Sequence, residues 1–246
     1  MLDELKLALA DKVLNDEAIK DRYCHIWKMD KPLQAKAVIL PRSTEDVSIA
    51  LKICHKHNQP VVVHGGLTNL VGSTDTTKDD VVISLEKMNA IKEVDEKSRT
   101  MTVEAGVILE NILNAAKEKN MFFPITFGAK GSAQIGGLIA TNAGGMRVLR
   151  YGMTRKQVLG LEAVLADGTI VSSLKKIIKD NSGYDLKQLF IGSEGTLGIV
   201  TKAVIRLEEA PRSRNSAFVG LDTYDQVVRF LKFMDTGLSG TLSAFE

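Results

Sequence analysis

Cysteine is scarce in this sequence. Cys24 and Cys54 are its two cysteines, too few for a disulfide framework. Both fall in segments whose pattern predicts helix, so we expect reduced, packed thiols. The N-terminal stretch MLDELKLALADK mixes acidic and basic residues with its apolar ones and lacks a small-residue cleavage site, so it does not read as a signal peptide. Together these features predict a cytoplasmic protein.

Long apolar runs and a large net charge are also missing. No stretch reaches the roughly 18 uninterrupted apolar residues that span a bilayer, so no transmembrane segment is predicted. Lys and Arg total 32 against 30 Asp and Glu, a formal net charge of +2. This balance gives no reason to expect nucleic acid or an anionic membrane as the main partner. With 44% hydrophobic and 25% charged residues, the composition is typical of a globular protein.

Histidine is also rare, with four residues in the chain. His55 and His57 lie two apart on a predicted helix and point in different directions, so no metal site is predicted. His25 is expected to pack or to lie at the surface. His64 directly follows an apolar strand, where it is a candidate for contacting a phosphate and a poor candidate for a catalytic base.

Glycine, by contrast, is plentiful, and its 20 residues are unevenly spread. They concentrate in three glycine segments, which we call the first (65–72), the second (128–145) and the third (192–198). Before the first segment, apolar runs predict a strand at 37–40, a helix that ends near residue 57 and a strand at 61–63. The first glycine segment is therefore expected at the carboxyl end of a buried strand.

The rest of the chain alternates between strand and helix patterns. The first thirty residues have helical spacing, with Asn15 as an N-cap. Further strands are predicted at 81–85, 100–105, 161–165, 170–172, 197–200 and 203–207, and a helix at 107–117. Asp167-Gly168 predicts a hairpin. After a charged linker at 208–216, a strand at 217–221, a helix at 224–234 and a strand beginning at 242–245 predict an incomplete domain. We therefore expect a fragment, a split subunit or a naturally shortened chain.

The first glycine segment and the strand before it read VVVHGGLTNLVGS. Glycine lets main-chain N–H groups converge on an anion without interference from a Cβ atom, and Thr68, Asn69 and Ser73 add side-chain hydrogen bonds. A diphosphate suits such a loop, and a surface turn explains Gly-Gly equally well. Neither the dinucleotide fingerprint Gly-x-Gly-x-x-Gly nor the phosphate loop Gly-x-x-x-x-Gly-Lys-Ser/Thr describes this loop.

The second and third segments also suit a ligand that lies close to the backbone. In the second, Ser132 precedes a short predicted helix whose N-terminus favours a phosphate. Close packing of a helix on a sheet would also need glycine, but it does not explain Ser132, Thr141 and Asn142 among the glycines. In the third, Gly198 interrupts a strand, which indicates close approach by another group, such as a flat ring system.

Taken together, these segments resemble the FAD-binding domain of the vanillyl-alcohol oxidase and p-cresol methylhydroxylase (PCMH) superfamily. The similar branch is that of FAD-linked 2-hydroxy-acid dehydrogenases: glycolate oxidase flavoprotein subunit, D-lactate dehydrogenase and D-2-hydroxyglutarate dehydrogenase. Besides the first glycine segment, the match is carried by PRSTEDV at 41–47, VEAGV at 103–107, the run 135–145, LRYG at 149–152 and the run 183–201. A related flavin fold, that of UDP-N-acetylenolpyruvoylglucosamine reductases, competes with this interpretation, and the run 194–200 and the region of Tyr151 favour the hydroxy-acid branch.

The resemblance implies an α+β fold of the PCMH type. Its FAD-binding domain would cover 33–208, divided into subdomains 33–90 and 91–208 with FAD between them. A helical segment, 1–32, would precede it, and a linker with the incomplete start of a substrate or cap domain, 209–246, would follow. The implied cofactor-binding residues are Val63, His64, Gly65, Gly66, Leu67, Thr68, Asn69, Leu70, Pro124, Gly128, Ser132, Gly136, Gly137, Thr141, Asn142, Gly144, Glu194, Gly195, Gly198, Ile199 and Val200.

The resemblance also implies an activity. Thr68 stands where relatives that bind flavin covalently carry histidine, so non-covalent FAD is implied, while Leu67 and Asn69 depart from frequent glycine positions. The implied reaction is oxidation of a 2-hydroxy acid of the lactate, glycolate or 2-hydroxyglutarate class by hydride transfer to flavin N5. The catalytic residues are unknown, and a partner subunit or downstream half would supply the cap domain. The alternatives are a flavin-binding module or split subunit without activity of its own and, far below these, a plain α/β structural domain.

Overall fold

The computed structural model describes residues 1–246 and contains eight α-helices and eleven strands. The helices are α1 (Leu2–Leu9), α2 (Thr44–Lys56), α3 (Leu109–Glu118), α4 (Ile135–Ala140), α5 (Val148–Tyr151), α6 (Thr154–Gln157), α7 (Lys187–Phe190) and α8 (Tyr224–Gly237). The strands are β1 (Val13–Leu14), β2 (Ala37–Ile39), β3 (Val61–His64), β4 (Val81–Ser84), β5 (Ile91–Asp95), β6 (Thr100–Glu104), β7 (Met121–Phe122), β8 (Val158–Val164), β9 (Ile170–Ser173), β10 (Ile199–Arg206) and β11 (Glu208–Glu209). No helix has the length and apolar character needed to cross a membrane.

The first sheet has the order β1-β2-β4-β3, in which β2, β4 and β3 are parallel and β1 is an antiparallel edge. Helix α2 connects β2 to β3, as the sequence predicts. It begins at Ser43, whose hydroxyl accepts a hydrogen bond from the Asp46 amide at 3.1 Å. Strands β2 and β4 are buried along their whole length, which explains their uninterrupted apolar sequences. The first glycine segment therefore begins at the carboxyl end of β3, at one edge of this sheet.

The second sheet is antiparallel, with the order β5-β6-β10-β8-β9. The predicted hairpin at Asp167-Gly168 joins β8 to β9, and Gly168 has the positive φ of 83° that this turn needs. The carbonyl oxygen of Gly168 accepts a hydrogen bond from the Ser48 hydroxyl of α2 at 2.6 Å. The hairpin is thereby attached to the helix that packs on the first sheet.

A buried carboxylate makes a second connection between the two sheets. On β8, Glu162 accepts hydrogen bonds from the hydroxyls of Thr44 at 2.5 Å, Thr201 at 3.0 Å and Ser172 at 3.1 Å. The ammonium group of Lys202 lies 3.0 Å from the same carboxylate. Because Thr44 begins α2 and the other residues belong to the second sheet, this network fixes the position of the first sheet against the second.

The Glu162 network predicts a pH dependence of stability. Burial raises the pKa of Glu162, but hydrogen bonds from Thr44, Lys202 and Thr201 outweigh it and hold the pKa below its ordinary value of 4.5. Since the folded-state pKa is lowered, the stabilisation is present above about pH 4.5 and is lost as the pH falls through the folded-state value. We expect wild type to lose more unfolding free energy than Glu162→Gln between about pH 6 and pH 3, measured by urea denaturation. Parallel pH profiles for the two proteins would contradict this assignment.

The N-terminal segment differs from the helix predicted over residues 1–32. After α1 the chain forms short 3₁₀ turns at Ala10–Lys12, Asp16–Ile19 and Ile26–Lys28, and β1 adds to the first sheet. The side chain of Asn15 does not cap a helix, and Asp16 has a φ of 48°. The helical spacing was therefore misleading, because Leu5 and Leu9 pack into the main core whereas Ile19 packs into a separate small cluster.

Three other predictions at the level of elements were wrong. The strands predicted at 217–221 and 242–245 have no strand structure, because neither segment pairs with another strand. The strands predicted at 197–200 and 203–207 are one strand, β10, which is central in its sheet. The paired strands β7 and β11 were not predicted, because each is two residues long. The helix predicted at 224–234 is present as α8.

Candidate functional site

A cavity of about 470 Å³ lies where the two sheets meet. Its wall includes the loop after β3, residues next to the carboxyl ends of β4 and β6, helix α4 and the start of β10. All three glycine segments contribute to this wall. A second cavity of about 280 Å³ shares Val63, Gly195, Gly198 and Ile199 with the first. The two cavities therefore adjoin and together suit an elongated ligand.

The loop after β3 presents an unusual run of free donors. The six main-chain N–H groups of residues 65–70 donate no hydrogen bond within the chain, whereas the next two amides, of Val71 and Gly72, both donate to the side-chain oxygen of Asn69. Residues 65–70 all line the cavity. Consecutive unpaired amides favour a ligand that supplies several acceptor oxygens, as a diphosphate does.

Neighbouring side chains hold this loop in shape. The imidazole Nε2–H of His25 donates to the carbonyl of Asn69, and the Asn69 amide donates to the Thr74 hydroxyl at 2.9 Å. The amide of Ile26 donates to the carbonyl of Leu67 at 3.1 Å. Leu67 has a φ of 56°, a conformation that costs a residue with a side chain on the order of 1–3 kcal/mol. These contacts maintain that conformation, so the departure from glycine at Leu67 does not prevent the loop from forming.

Helix α4 uses its two glycines for different purposes. A Cβ atom at Gly136 would lie 2.7 Å from the Cβ of Ala105, and the Gly136 amide donates to the Ala105 carbonyl at 2.7 Å. Gly136 therefore allows the helix to approach the end of β6. A Cβ atom at Gly137 would meet nothing within 4 Å, and Gly137 lines the cavity. Gly137 thus leaves space in the cavity, whereas Gly136 serves packing.

The third glycine segment docks on the carboxyl end of α4. The amides of Gly192 and Glu194 donate to the carbonyls of Ile139 at 3.1 Å and Ala140 at 2.9 Å. Glu194 and Gly195 adopt positive φ values of 53° and 82°, which turn the chain along the cavity. A Cβ atom at Gly198 would lie 2.8 Å from the Val164 carbonyl, so the close approach predicted at Gly198 is made by β8.

An arginine holds the base of this third segment. The guanidinium of Arg155 donates to the Gln188 carbonyl at 2.8 Å and to the carbonyl of Ile191. The Arg155 amide in turn donates to the Asn142 side chain at 2.9 Å. Sequence reasoning did not identify Arg155, because its partners lie far away along the chain.

The structure brings most of the predicted site residues to the wall of the cavity. These are Val63, Gly65, Gly66, Leu67, Thr68, Asn69, Leu70, Gly136, Gly137, Thr141, Gly144, Glu194, Gly195, Gly198, Ile199 and Val200. That they contact a cofactor remains a prediction, because the structure shows their position alone.

Five predicted site residues do not line the cavity, namely His64, Pro124, Gly128, Ser132 and Asn142. Pro124 is buried, whereas Gly128 and Ser132 are exposed. The carbonyl of Ser132 packs where a Cβ of Gly66 would be, and the Asn142 side chain accepts from the Arg155 amide. That these five residues contact the cofactor stays a prediction.

Sequence reasoning named Ser73 beside the first glycine segment but missed ten residues of the wall: Val71, Thr74, Leu85, Ala105, Phe127, Gln134, Leu138, Ala140, Ala143 and Ser193. Six of the ten lie inside a glycine segment, and this position could have indicated them. Leu85 and Ala105 follow directly after β4 and β6, and only the arrangement of the strands brings them to the cavity.

His64 contacts the protein and not the cavity. Its Nε2–H donates to the Thr74 carbonyl at 2.9 Å. Burial lowers the pKa of His64 to about 4, so the imidazole is neutral at pH 7. This neutral, inward-facing side chain does not suit the phosphate contact predicted from the sequence.

The same burial predicts a loss of stability in mild acid. The folded-state pKa lies below the ordinary value of 6.5, so the unfolded chain binds the proton first and the stabilisation is lost as the pH falls below about 6.5. Between about pH 7 and pH 4, wild type should lose up to about 3 kcal/mol more unfolding free energy than His64→Gln, whose amide also donates but does not titrate. Chemical denaturation at a series of pH values measures this difference. Equal losses would show that His64 is accessible to protons in the folded chain.

The cavity wall contains one ionisable side chain, that of Glu194, and no cationic one. A negatively charged ligand would therefore be held by neutral donors, above all the amides of residues 65–70. The space left open at Gly137 and the carboxamide of Gln134, which makes no side-chain hydrogen bond within the chain, lie on the same wall. These features fit a flavin dinucleotide.

Comparison with known proteins agrees with this geometry. A family model described as an FAD binding domain matches residues 35–173, which is more than half of the chain. The chain belongs to this FAD-binding family. FAD is its cofactor, and the residues available to hold it are those of the cavity wall described above.

Two curated relatives extend the match. D-2-hydroxyglutarate dehydrogenase of Bos taurus, named as mitochondrial, is 43% identical over 212 residues, which cover 86% of this chain and 39% of the relative. D-2-hydroxyglutarate–pyruvate transhydrogenase of Saccharomyces cerevisiae is 38% identical over 238 residues, covering 96% of this chain and 48% of the relative. This chain therefore spans less than half the length of these relatives.

A solved structure shows the same fold. Alkyldihydroxyacetonephosphate synthase superposes with a TM-score of 0.74 at 22% sequence identity, covering 86% of this chain and 40% of the synthase. This likeness confirms the predicted α+β fold of the PCMH type. The exact subdomain boundaries stay predictions.

Proposed function

We propose that this FAD-binding chain is the cofactor-binding part of an oxidoreductase that oxidises a 2-hydroxy acid of the lactate, glycolate or 2-hydroxyglutarate class. The observation that carries the proposal is the cavity lined by six consecutive free amides, in a chain 43% identical to a D-2-hydroxyglutarate dehydrogenase. In the proposed reaction, the carbon that bears the hydroxyl loses a hydride and the hydroxyl loses a proton, which yields the 2-oxo acid. FAD supplies the redox-active ring whose N5 atom takes up the hydride.

The chain's own residues would bind and orient the cofactor. The amides of residues 65–70 would hold the diphosphate, and the apolar wall formed by Leu85, Phe127 and Leu138 would exclude water from the cavity. Glu194 is the one ionisable side chain on this wall and is exposed, and no cationic side chain there could bind the carboxylate of a 2-hydroxy acid. The groups that bind the substrate and take its hydroxyl proton would therefore come from additional polypeptide, either a partner subunit or a downstream half.

The surface of α8 supports a role for additional polypeptide. None of its residues is buried, and Val228 and Phe233 in the helix and Leu238 directly after it are exposed apolar side chains. Phe218, in the segment before it, is fully exposed as well. Such a patch favours cover by another protein surface.

Flavin reduction tests the proposed reaction. The FAD-loaded chain is mixed anaerobically with D-2-hydroxyglutarate, D-lactate or glycolate, alone and with a polypeptide that corresponds to the remaining part of the relatives. We expect bleaching of the flavin absorbance in the presence of that polypeptide. No reduction by any of these acids under either condition would contradict the reaction and favour a flavin-binding module without activity of its own.

The attachment of the cofactor gives a further prediction. Thr68 lines the larger cavity, whose wall carries no histidine or cysteine side chain that could form a bond to flavin. We therefore expect denaturation in acid to release all the FAD into the supernatant, measured by its absorbance after the protein is removed. Flavin that stays with the precipitated protein would contradict this prediction.

A cytoplasmic location of the protein stays a proposal from the sequence.

A further inference from the structure

Gln134 carries an unsatisfied polar atom. Its Oε1 is the buried side-chain nitrogen or oxygen atom of the chain that has no hydrogen-bond partner. The residue is 8% exposed and lies on the wall of the larger cavity. Buried polar groups are nearly always paired. The Nε2 atom of Gln134 also makes no hydrogen bond within the chain, and unlike Oε1 it is not enclosed by protein, so it is the end of the carboxamide that a bound ligand can reach.

The backbone fixes this carboxamide beside the loop of free amides. The carbonyl of Gln134 accepts a hydrogen bond from the Leu138 amide at 3.1 Å, and the amide of Ile135 donates to the Val107 carbonyl at 2.9 Å. The Oε1 atom lies 3.7 Å from the position that a Cβ of Gly65 would occupy. Gln134 therefore faces the beginning of the loop that suits a diphosphate.

Charge decides which end of the carboxamide faces the ligand. No cationic side chain lines the cavity, so the diphosphate charge would be balanced by neutral donors. An oxygen next to a phosphate is repelled, whereas an N–H donates a charge-assisted hydrogen bond. The accessible Nε2 end of Gln134 is therefore the end that suits a phosphate oxygen.

We propose that Gln134 donates its Nε2–H to a phosphate oxygen of the FAD diphosphate and so extends the anion site formed by the amides of residues 65–70. This inference rests on FAD binding and not on the proposed oxidation of a 2-hydroxy acid. Its test therefore uses affinity alone, so that the two can fail separately.

The decisive variant is Gln134→Glu, which keeps the shape but replaces the donor by a negatively charged acceptor. At about pH 8, repulsion should weaken FAD binding by about a hundredfold or more, and affinity should recover as the pH falls and the carboxyl is protonated. Gln134→Met keeps the size and removes the donor. It should weaken binding by about tenfold at every pH. Quenching of FAD fluorescence during titration of the apo chain measures the affinities, and thermal unfolding of each apo variant checks the fold.

Gln226→Glu is the matched control, because it makes the same charge change at the half-buried start of α8, outside the cavity, where glutamate can replace glutamine as the capping-box partner of Thr223. Its FAD affinity should equal that of wild type at both pH values. If Gln134→Glu binds FAD as tightly as wild type or more tightly at about pH 8, the oxygen end faces a donor of the cofactor and the proposal fails. Wild-type affinity in Gln134→Met, or a loss in Gln134→Glu that does not recover in acid, would also overturn it.

Discussion

Gly66→Ala is expected to reduce FAD affinity by about a hundredfold or more, because it displaces the loop of free amides and removes one or more hydrogen bonds to a charged group. A Cβ atom at Gly66 would lie 2.1 Å from the Ser132 carbonyl oxygen and 2.8 Å from the Cα of Ala133. This neighbouring backbone cannot retreat easily, because the Ala133 amide donates to the Ala129 carbonyl and the Ala133 carbonyl accepts from the Leu109 amide. The loop must therefore move.

The measurement for Gly66→Ala is a fluorescence-quenching titration with FAD, accompanied by chemical denaturation of the apo protein. The free energy of unfolding should also fall, because the clash is present without the cofactor. Gly220→Ala serves as the control, since Gly220 is exposed, lies outside the cavity, and a Cβ there would meet nothing within 4 Å. Affinity of Gly66→Ala within threefold of wild type would show that the loop tolerates a side chain and that its close approach to Ser132 is unimportant.

Gly137→Leu is expected to abolish FAD binding while leaving the apo fold intact. A side chain at Gly137 would enter open space on the cavity wall, where the cofactor has to lie. Because leucine favours a helix over glycine by roughly 0.5–1 kcal/mol, the free energy of unfolding of the apo protein should stay the same or rise slightly. Titration with FAD and denaturation of the apo chain measure the two effects separately.

The adjacent glycine provides the contrast. In Gly136→Ala, the added Cβ would lie 3.0 Å from the Ala105 carbonyl oxygen, besides its contact with the Ala105 side chain, so the apo fold itself should be destabilised. If Gly137→Leu keeps wild-type FAD affinity, the cofactor does not occupy the space beside Gly137. If it unfolds the apo chain, Gly137 serves packing as Gly136 does.

Local signals predicted the elements that carry the site. The helix that ends near residue 57, the apolar runs of β3 and β4 and the turn at Gly168 each depend on residues within a few positions of one another, and all are present. The convergence of the three glycine segments was inferred from the resemblance and is confirmed by the shared cavity. Helical spacing failed in the N-terminal segment, where pairing of β1 with β2 prevails over the local pattern.

The individual side chains of the site were harder to predict. Asn142 has the chemistry of a ligand contact, but Arg155 engages it, and a partner in another element is not visible in a linear pattern. The same reason explains His64, which turns inward to Thr74. Gln134 was missed because nothing in its local sequence separates it from an ordinary residue before a helix. Its lack of a partner appears only in three dimensions.

Titration of the purified apo chain with FAD tests the central claim most directly. We predict saturable binding of one FAD per chain, seen as quenched flavin fluorescence and a shifted visible absorbance. Binding should be lost in Gly137→Leu although that variant remains folded. A folded wild-type chain that takes up no FAD, or that binds it equally well with the cavity blocked at Gly137, would contradict the assignment of this cavity to the cofactor.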